Sequence, residues 1–210
     1  GDPVKLGAPG MQGAPASGGG TPSWRPGEDG PIPFERLVAP RDVSGARAAF
    51  DQTMHLRVLS DVLHALDHAH AKRGLDGNPL SLVHCDVSPQ NVFLTYEGEV
   101  KLLDFGIARQ IGARGGPDVG VVRGKPRYMP PEQIAGDRID QRTDLYAVGV
   151  MAWEAAAGVR LWANATDAEL MQAVRAGQIP TPSSVTDGVD PELERIVMRA
   201  LAPDKEQRYP

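Results

Sequence analysis

A chain of 210 residues with 41% hydrophobic and 23% charged residues can bury one substantial core, so one globular domain is expected. The formal net charge of −5 disfavours binding to nucleic acid or to an anionic membrane, because both select basic patches. The single cysteine, Cys85, excludes an internal disulfide and fits a reducing compartment. No apolar run reaches the roughly 18 residues of a membrane span. Since a signal-peptide pattern is also missing, we expect a cytoplasmic chain.

Glycine and proline dominate the N-terminal part of the sequence. The first 30 residues contain nine Gly and five Pro and show almost no apolar periodicity. Such a segment buries too little apolar surface to offset the entropy lost on ordering. We therefore predict a disordered Gly/Pro-rich segment over residues 1–33 and one folded domain over residues 34–210. A short helix is predicted at 42–50, with Asp42 or Ser44 as its N-cap.

The longest amphipathic pattern covers residues 53–73, where apolar side chains recur every three or four positions, as in a helix with one buried face. The apolar residues assigned to that face are Leu56, Leu59, Val62, Leu63, Leu66 and Ala69. Histidines at positions 55, 64, 68 and 70 lie on the same helix without metal-ligand partners at suitable spacing. They are interpreted as surface or hydrogen-bonded core residues.

Further helices are predicted in the C-terminal half. Residues 143–157 are apolar on nearly all faces, which indicates a buried helix that ends at the following glycine. Thr166 and the Glu three residues later form a capping box for a helix over residues 166–176. Asp190 and the Pro after it open another helix that runs to residue 201. Its apolar positions are Leu193, Ile196, Val197 and Ala200.

Two short apolar stretches, at 92–95 and 100–103, flank a Gly-containing turn at 96–99 and predict a β-hairpin. Together with the helices, this hairpin makes the predicted fold mainly α with a small β-hairpin, an α+β class.

The most informative stretch is His84-Cys85-Asp86-Val87-Ser88-Pro89-Gln90-Asn91, which is followed, after the hairpin, by Asp104-Phe105-Gly106. Phosphoryl transfer needs one carboxylate to orient an attacking hydroxyl, and oxygen ligands to hold magnesium against the phosphates. Asp86 fits the first role. Asn91 and Asp104 fit the second, because magnesium prefers hard oxygen donors and the hairpin places both residues at its open end.

With Pro130-Pro131-Glu132 downstream, these motifs resemble the catalytic loop, the Asp-Phe-Gly motif and the activation-segment end of bacterial eukaryotic-type Ser/Thr protein kinases. The resemblance implies transfer of the γ-phosphoryl group of ATP to hydroxyls of a protein substrate, with magnesium as cofactor. Asp86 would then be the base, and Asn91 and Asp104 would bind ATP through magnesium. Phe93 would lie beneath the adenine ring, with a plain core role as the alternative.

The resemblance also assigns structural roles. Asp144, at the start of a buried helix, is expected to brace the catalytic-loop backbone. Glu132 is expected to form a buried ion pair with Arg208. The Gly-rich stretch at 112–124 corresponds to the mobile activation segment. The residues given structural roles are His84, Phe105, Gly106, Glu132, Asp144 and Arg208.

The sequence departs from the family pattern in its N-terminal part. A complete kinase begins with a small lobe that carries a Gly-rich loop, a strand Lys and a helix Glu. None of these is found before residue 53. The expected fold is therefore a C-terminal lobe without the N-terminal lobe, and this chain alone is expected to be inactive. The small lobe would be encoded upstream, supplied by a separate chain, or lost.

Three catalytic-centre positions also differ from the family pattern. Cys85 replaces the Arg that grips a phosphate on the activation segment, and residues 107–131 contain no Ser or Thr, so control by segment phosphorylation is not expected. Ser88 stands where the family has Lys, and Lys125 stands where it has Thr. We predict that the cation and the hydroxyl have exchanged positions beside Asp86. The alternative is that Lys125 is a solvated loop residue and Ser88 a neutral loss.

Two other function classes remain open. One is a pseudokinase or regulatory interaction module that keeps the fold without turnover. The other is a small-molecule phosphotransferase of the aminoglycoside type, which shares the catalytic-loop pattern. Pro130-Pro131-Glu132, Asp144 and Arg208 disfavour the second class, because they build the protein-substrate platform that such enzymes lack.

Overall fold

The computed structural model describes residues 32–36, 52–105, 109–110 and 125–210, and within these ranges the chain is rich in helix with a small antiparallel sheet. The predicted helix at 42–50 and the stretch at 112–124 lie outside the described residues, as does nearly all of the segment predicted to be disordered. The helices are α1 (Gln52–His70), α2 (Pro131–Ala135), α3 (Arg142–Ala157), α4 (Asp167–Arg175) and α5 (Pro191–Ala200).

The predicted β-hairpin is present as strands β3 (Val92–Leu94) and β4 (Val100–Leu102), each slightly shorter than expected. A strand that the sequence pattern did not predict, β1 (Ile32–Pro33), pairs antiparallel with β3 and gives the sheet order β1-β3-β4. A proline is tolerated there because β1 lies at the edge of the sheet. A second small sheet pairs β2 (Leu82–Val83) with β5 (Arg109–Gln110), also antiparallel.

Helix α3 forms the centre of the core and packs against both α1 and α5. Most of its residues are buried, so the predicted buried helix is confirmed. Gly149 lets α3 approach α5 closely, because a β-carbon there would lie 3.0 Å from the Ala200 side chain and 3.2 Å from Leu201. Gly158 ends the helix with a φ of 69°, in the left-handed region that glycine adopts without strain.

The capping predictions for the last two helices are confirmed. Thr166 accepts a hydrogen bond from the backbone of Glu169, whose carboxylate accepts one from the backbone of Thr166, which completes the capping box. Asp190 caps α5 by accepting hydrogen bonds from the backbone of Glu192 and Leu193. Among the described residues, no helix has both the length and the apolar character that crossing a bilayer requires.

Two apolar positions were assigned to the wrong helix face. The buried residues of α1 are Val58, Leu59, Val62 and Leu66. Leu63 is 40% exposed, because the face of α1 that contacts α3 and β4 is narrower than the apolar sequence pattern suggested. Ile196 on α5 is 42% exposed, whereas the next residue, Val197, is buried.

Candidate active site

The backbone just before Asp86 is fixed by hydrogen bonds to both the N–H and the carbonyl oxygen of Cys85. The N–H groups of His84 and Cys85 each donate to a carboxylate oxygen of Asp144 at 2.9 Å. Gln133 Nε2 donates to the Cys85 carbonyl oxygen at 3.0 Å. Cys85 has a φ of 67°, in the left-handed region that a residue with a β-carbon rarely adopts. These contacts therefore stabilise an otherwise unfavourable turn that leads into Asp86.

The Asp86 carboxylate is surrounded by donors, and its side chain is only 10% exposed. Asn91 Nδ2 donates to Asp86 Oδ2 at 3.0 Å and to the Asp86 carbonyl oxygen at 2.8 Å. The Lys125 backbone N–H donates to Asp86 Oδ1 at 3.3 Å, and Lys125 Nζ donates to Oδ2 at 3.2 Å. These hydrogen bonds fix the orientation of the carboxylate.

Lys125 Nζ also donates to Ser88 Oγ at 2.9 Å, and Ser88 is fully buried. One ammonium group therefore bridges the carboxylate of Asp86 and the hydroxyl of Ser88. The structure brings together the three residues to which the sequence analysis gave catalytic roles, Asp86, Ser88 and Lys125. An ammonium and a hydroxyl therefore lie beside Asp86. The ammonium comes from position 125, where the family pattern has Thr, and the hydroxyl comes from position 88, where it has Lys.

The position of Lys125 is set by the short 3-10 turn Pro126–Tyr128 that follows it. The Tyr128 backbone N–H donates to the Lys125 carbonyl oxygen at 3.0 Å. The buried Tyr128 hydroxyl donates to Glu154 Oε2 in α3 at 3.2 Å. Burial raises the pKa of Glu154, and burial beside Glu154 raises the pKa of the Tyr128 hydroxyl. This contact anchors the Lys125 backbone to the centre of the core.

Asn91 and Asp104 lie at the open end of the hairpin, as predicted. The Leu103 backbone N–H donates to the Asn91 carbonyl oxygen at 2.8 Å, which brings the residue before Asp104 against Asn91. Asp104 has a φ of 65°, a left-handed conformation. Because Asn91 Nδ2 donates to Asp86, the side-chain oxygen of Asn91 is the atom left to act as a ligand. The described residues contain no cluster of three or more His, Cys, Asp or Glu suited to a metal ion.

His84 links the catalytic loop to the strand that precedes Asp104. Its Nε2 lies 3.1 Å from the Leu103 carbonyl oxygen, and its Nδ1 lies 3.3 Å from the Asp86 backbone N–H. Since a carbonyl can only accept and an amide N–H can only donate, His84 carries its proton on Nε2. The Phe105 ring packs on the imidazole with 4.3 Å between ring centroids. Gly106, the last residue of this motif, lies outside the described residues.

A family model described as the protein kinase domain matches residues 38–210. The chain belongs to the protein kinase family. It is 41% identical over 155 residues to the tyrosine-protein kinase MasK of Myxococcus xanthus (strain DK1622), a match that covers 74% of this chain and 24% of MasK. It is also 41% identical over 160 residues to the serine/threonine-protein kinase Pkn1 of Myxococcus xanthus, with 72% and 22% covered.

The serine/threonine-protein kinase PknB of Mycobacterium tuberculosis (strain ATCC 25618 / H37Rv) is 30% identical over 188 residues, covering 86% of this chain and 29% of PknB. The chain spans about a quarter of the length of these curated relatives. These similarities confirm the predicted resemblance to the bacterial eukaryotic-type protein kinases.

The ion pair predicted from the kinase resemblance, between Glu132 and Arg208, is present and buried. Arg208 makes two parallel hydrogen bonds to the Glu132 carboxylate, at 2.7 and 2.8 Å. Thr143 Oγ1 donates to the same carboxylate at 3.1 Å, and the guanidinium also lies over the Tyr146 ring, 4.9 Å from its centroid. The pair therefore joins the start of α2 to α3 and to the end of the described chain.

The adenine-contact role of Phe93 stays a prediction. Phe93 is half-buried in the middle of β3, where its backbone pairs with Pro33 on one side and Lys101 on the other.

Two residues that support the candidate active site were not predicted from the sequence. Gln133, which donates to the Cys85 carbonyl oxygen, was assigned no role from the sequence. His70 is a hydrogen-bonded histidine, one of the two interpretations given from the sequence, but its partner, Asp144 Oδ2 at 2.8 Å, was not predicted. No spacing rule identifies either one, because each acts on a residue far away in the sequence.

Proposed function

We propose that the described domain is the large C-terminal lobe of a bacterial Ser/Thr protein kinase, which transfers the γ-phosphoryl group of ATP to protein hydroxyls. The observation that carries the proposal is the placement of Lys125 Nζ, at 3.2 Å from Asp86 Oδ2 and 2.9 Å from Ser88 Oγ. A fixed carboxylate beside a fixed cation is the arrangement that phosphoryl transfer requires.

In the proposed reaction, Asp86 accepts a hydrogen bond from the substrate hydroxyl and takes its proton. A bond forms between the hydroxyl oxygen and the γ-phosphorus, while the bond from the γ-phosphorus to the β,γ-bridging oxygen breaks and ADP leaves. Lys125 stabilises the negative charge of the transferring group. Ser88 holds the ammonium of Lys125 in place, and Asn91 holds the carboxylate of Asp86.

Magnesium fits the donor set at the end of the hairpin. Asn91 offers an amide oxygen and Asp104 a carboxylate, and magnesium usually takes only one or two protein ligands beside phosphate and water oxygens. When bound, the ion would neutralise charge on the ATP phosphates. Asn91 would have two functions in this chain, because its nitrogen orients Asp86 and its side-chain oxygen is left to hold the proposed ion.

The remaining site residues support this centre. Asp144, His84 and Phe105 hold the catalytic loop and the strand before Asp104, with Gly106 completing that motif. The Glu132–Arg208 pair holds the platform on which a protein substrate would rest. We further propose that a small lobe, encoded upstream or on another chain, contributes the Gly-rich loop and the strand Lys that these 210 residues lack.

Similarity to MasK, which is named a tyrosine-protein kinase, makes tyrosine the second candidate acceptor.

To test the proposed function, this chain is fused to the small lobe of a related kinase and incubated with labelled ATP, magnesium and mixed protein substrates. A parallel reaction contains kanamycin. We expect label on protein Ser and Thr in phosphoamino-acid analysis, and none after Asp86→Asn. Label on Tyr alone would overturn the Ser/Thr assignment, and label on kanamycin alone would overturn the protein kinase proposal.

A further inference from the structure

Residues 32–36, here called the N-terminal clamp, lie before the span that the kinase family model matches, residues 38–210, yet they pack against the catalytic loop. The clamp consists of β1 and the 3-10 turn Phe34–Arg36. β1 pairs with β3, the strand that directly follows the catalytic loop. The Phe34 side chain is 1% exposed, and its ring meets that of His55 in α1 edge-on, with 5.6 Å between centroids. The clamp is therefore fixed to the folded domain.

Glu35 connects this clamp to Gln90 in the catalytic loop. Gln90 Nε2 donates to Glu35 Oε1 at 2.6 Å. The side-chain oxygen of Gln90 is buried and has no hydrogen-bond partner in the parts of the chain that the structure describes. Glu35 Oε1 also lies 3.8 Å from Nη2 of Arg160, which follows α3. Glu35 is therefore the residue that orients the Gln90 side chain, and Arg160 supports Glu35 from the other side.

Gln90 is the middle residue of the 3-10 turn Pro89–Asn91. The Asn91 backbone N–H closes this turn by donating to the Ser88 carbonyl oxygen at 2.9 Å. Asn91 Nδ2 then donates to Asp86 Oδ2 at 3.0 Å. Because the hydrogen bonds of a 3-10 turn have poorer geometry than those of an α-helix, a side-chain anchor on the middle residue stabilises the turn. The contact from Glu35 to Gln90 is such an anchor.

We propose that Glu35 is a positioning residue of the active site, which holds Gln90 and thereby the turn that presents Asn91 to Asp86. The N-terminal clamp is then a working part of the catalytic centre, although it precedes the span that the family model matches. The catalytic meaning rests on the proposed function of Asp86. The positioning itself does not, because it concerns a hydrogen bond of the folded chain.

The test is amide hydrogen exchange, measured by NMR on the full chain and on three variants. Glu35→Ala removes the acceptor, whereas Glu35→Gln keeps an acceptor oxygen for Gln90. Glu192→Ala is the control, because it removes another exposed glutamate that pairs with an arginine, on α5. The Asn91 amide reports the turn, and the Val150 amide in the middle of α3 reports global stability.

We expect roughly tenfold faster exchange at the Asn91 amide in Glu35→Ala. This is the lower end for loss of a hydrogen bond to a charged group, because the Glu35 side chain is 40% exposed. Exchange at Val150 should change less. Glu35→Gln should restore the Asn91 amide to within about threefold of wild type, and Glu192→Ala should match wild type.

Three outcomes would overturn the proposal. The first is an Asn91 amide within about twofold of wild type in Glu35→Ala. The second is equal acceleration at Val150, which would mean that the variant only destabilises the whole fold. The third is the absence of any recovery in Glu35→Gln.

A measurement on the wild-type chain covers the case in which Glu35→Ala does not fold. At least one Nε2 proton of Gln90 should exchange more slowly than the side-chain amide protons of Gln172, an exposed glutamine on α4. Equally fast exchange at the two glutamines would overturn the proposal. None of these measurements requires turnover, so their failure is distinct from failure of the kinase assignment.

Discussion

Replacing Lys125 with Ala tests the proposed exchange of cation and hydroxyl. The Nζ to Oδ2 distance of 3.2 Å gives a Coulomb attraction of about 5 kcal/mol at an effective dielectric of about 20, before desolvation. The Lys125 side chain is 35% exposed, so screening and desolvation reduce its net contribution to folding to about 1 kcal/mol or less. The variant should therefore remain folded.

Turnover should respond much more strongly than stability. Charge on the transferring phosphoryl group is greatest in the transition state, and loss of one preorganised charged donor lowers the rate roughly 10²- to 10³-fold, or about 3–4 kcal/mol. The assay is single-turnover phosphorylation of a protein substrate by the chain fused to a kinase small lobe. Lys101→Ala removes an exposed lysine that pairs with the exposed Glu99, and serves as the matched control.

The exchange hypothesis also predicts the rate of a double variant in the same assay. The double variant Ser88→Lys with Lys125→Thr returns the cation to the catalytic loop and should recover part of the lost rate. If Lys125→Ala stays within about twofold of wild type, a barrier change under about 0.5 kcal/mol, the reasoning is refuted and Lys125 is a solvated loop residue.

Three further outcomes are expected. Arg208→Ala should lower the free energy of unfolding in urea by about 3–5 kcal/mol, since it leaves Glu132 buried without its cation. Arg195→Ala, which removes an exposed ion pair, should change that free energy little. Similar losses in the two variants would contradict the burial argument. Burial raises the pKa of Glu154 above its usual 4.5, so the folded state binds that proton more tightly, and stability should fall as pH rises from about 4.5 through the raised pKa. Glu154→Gln should flatten this slope in urea titrations, and an unchanged slope would assign it to other groups. Mass spectrometry of protein from its host should find no stoichiometric phosphate within residues 107–131, which contain no Ser or Thr, and finding it would contradict the predicted lack of control by segment phosphorylation.

Local sequence signals predicted the parts of the fold that depend on neighbouring residues. The capping box at Thr166, the helix stop at Gly158 and the hairpin turn each use contacts within a few positions. The strand at Ile32–Pro33 carries no comparable signal, because its partner, Val92–Leu94, lies far along the chain and the strand has only two residues. Helix faces were predicted less well, since Leu63 depends on which neighbours α1 meets.

The candidate site shows the same difference between features set by local sequence and features set by distant contacts. Asp86 and Asn91 were predicted as site residues because the chemistry fixes their types and spacing, and the structure shows them in hydrogen-bond contact. The Lys125–Ser88 contact was predicted from the family arrangement and is also present. His70 was missed, because its partner Asp144 lies 74 residues away and nothing in the sequence near His70 indicates a buried carboxylate. Resemblance to a family identifies the residues inside its motifs. The residues that hold those motifs in place depend on how distant parts of the chain pack together.

The most direct test of the account is the effect of Asp86→Asn on the chemical step. Asparagine keeps the size of the side chain and can accept a hydrogen bond from Lys125, but it cannot take the substrate proton. With the chain fused to a kinase small lobe, we expect the single-turnover rate to fall at least roughly 10²-fold, the lower range for removal of a general base, while Mg-ATP affinity stays within about threefold. A rate within about tenfold of wild type would contradict the assignment of Asp86 as the base of a protein kinase.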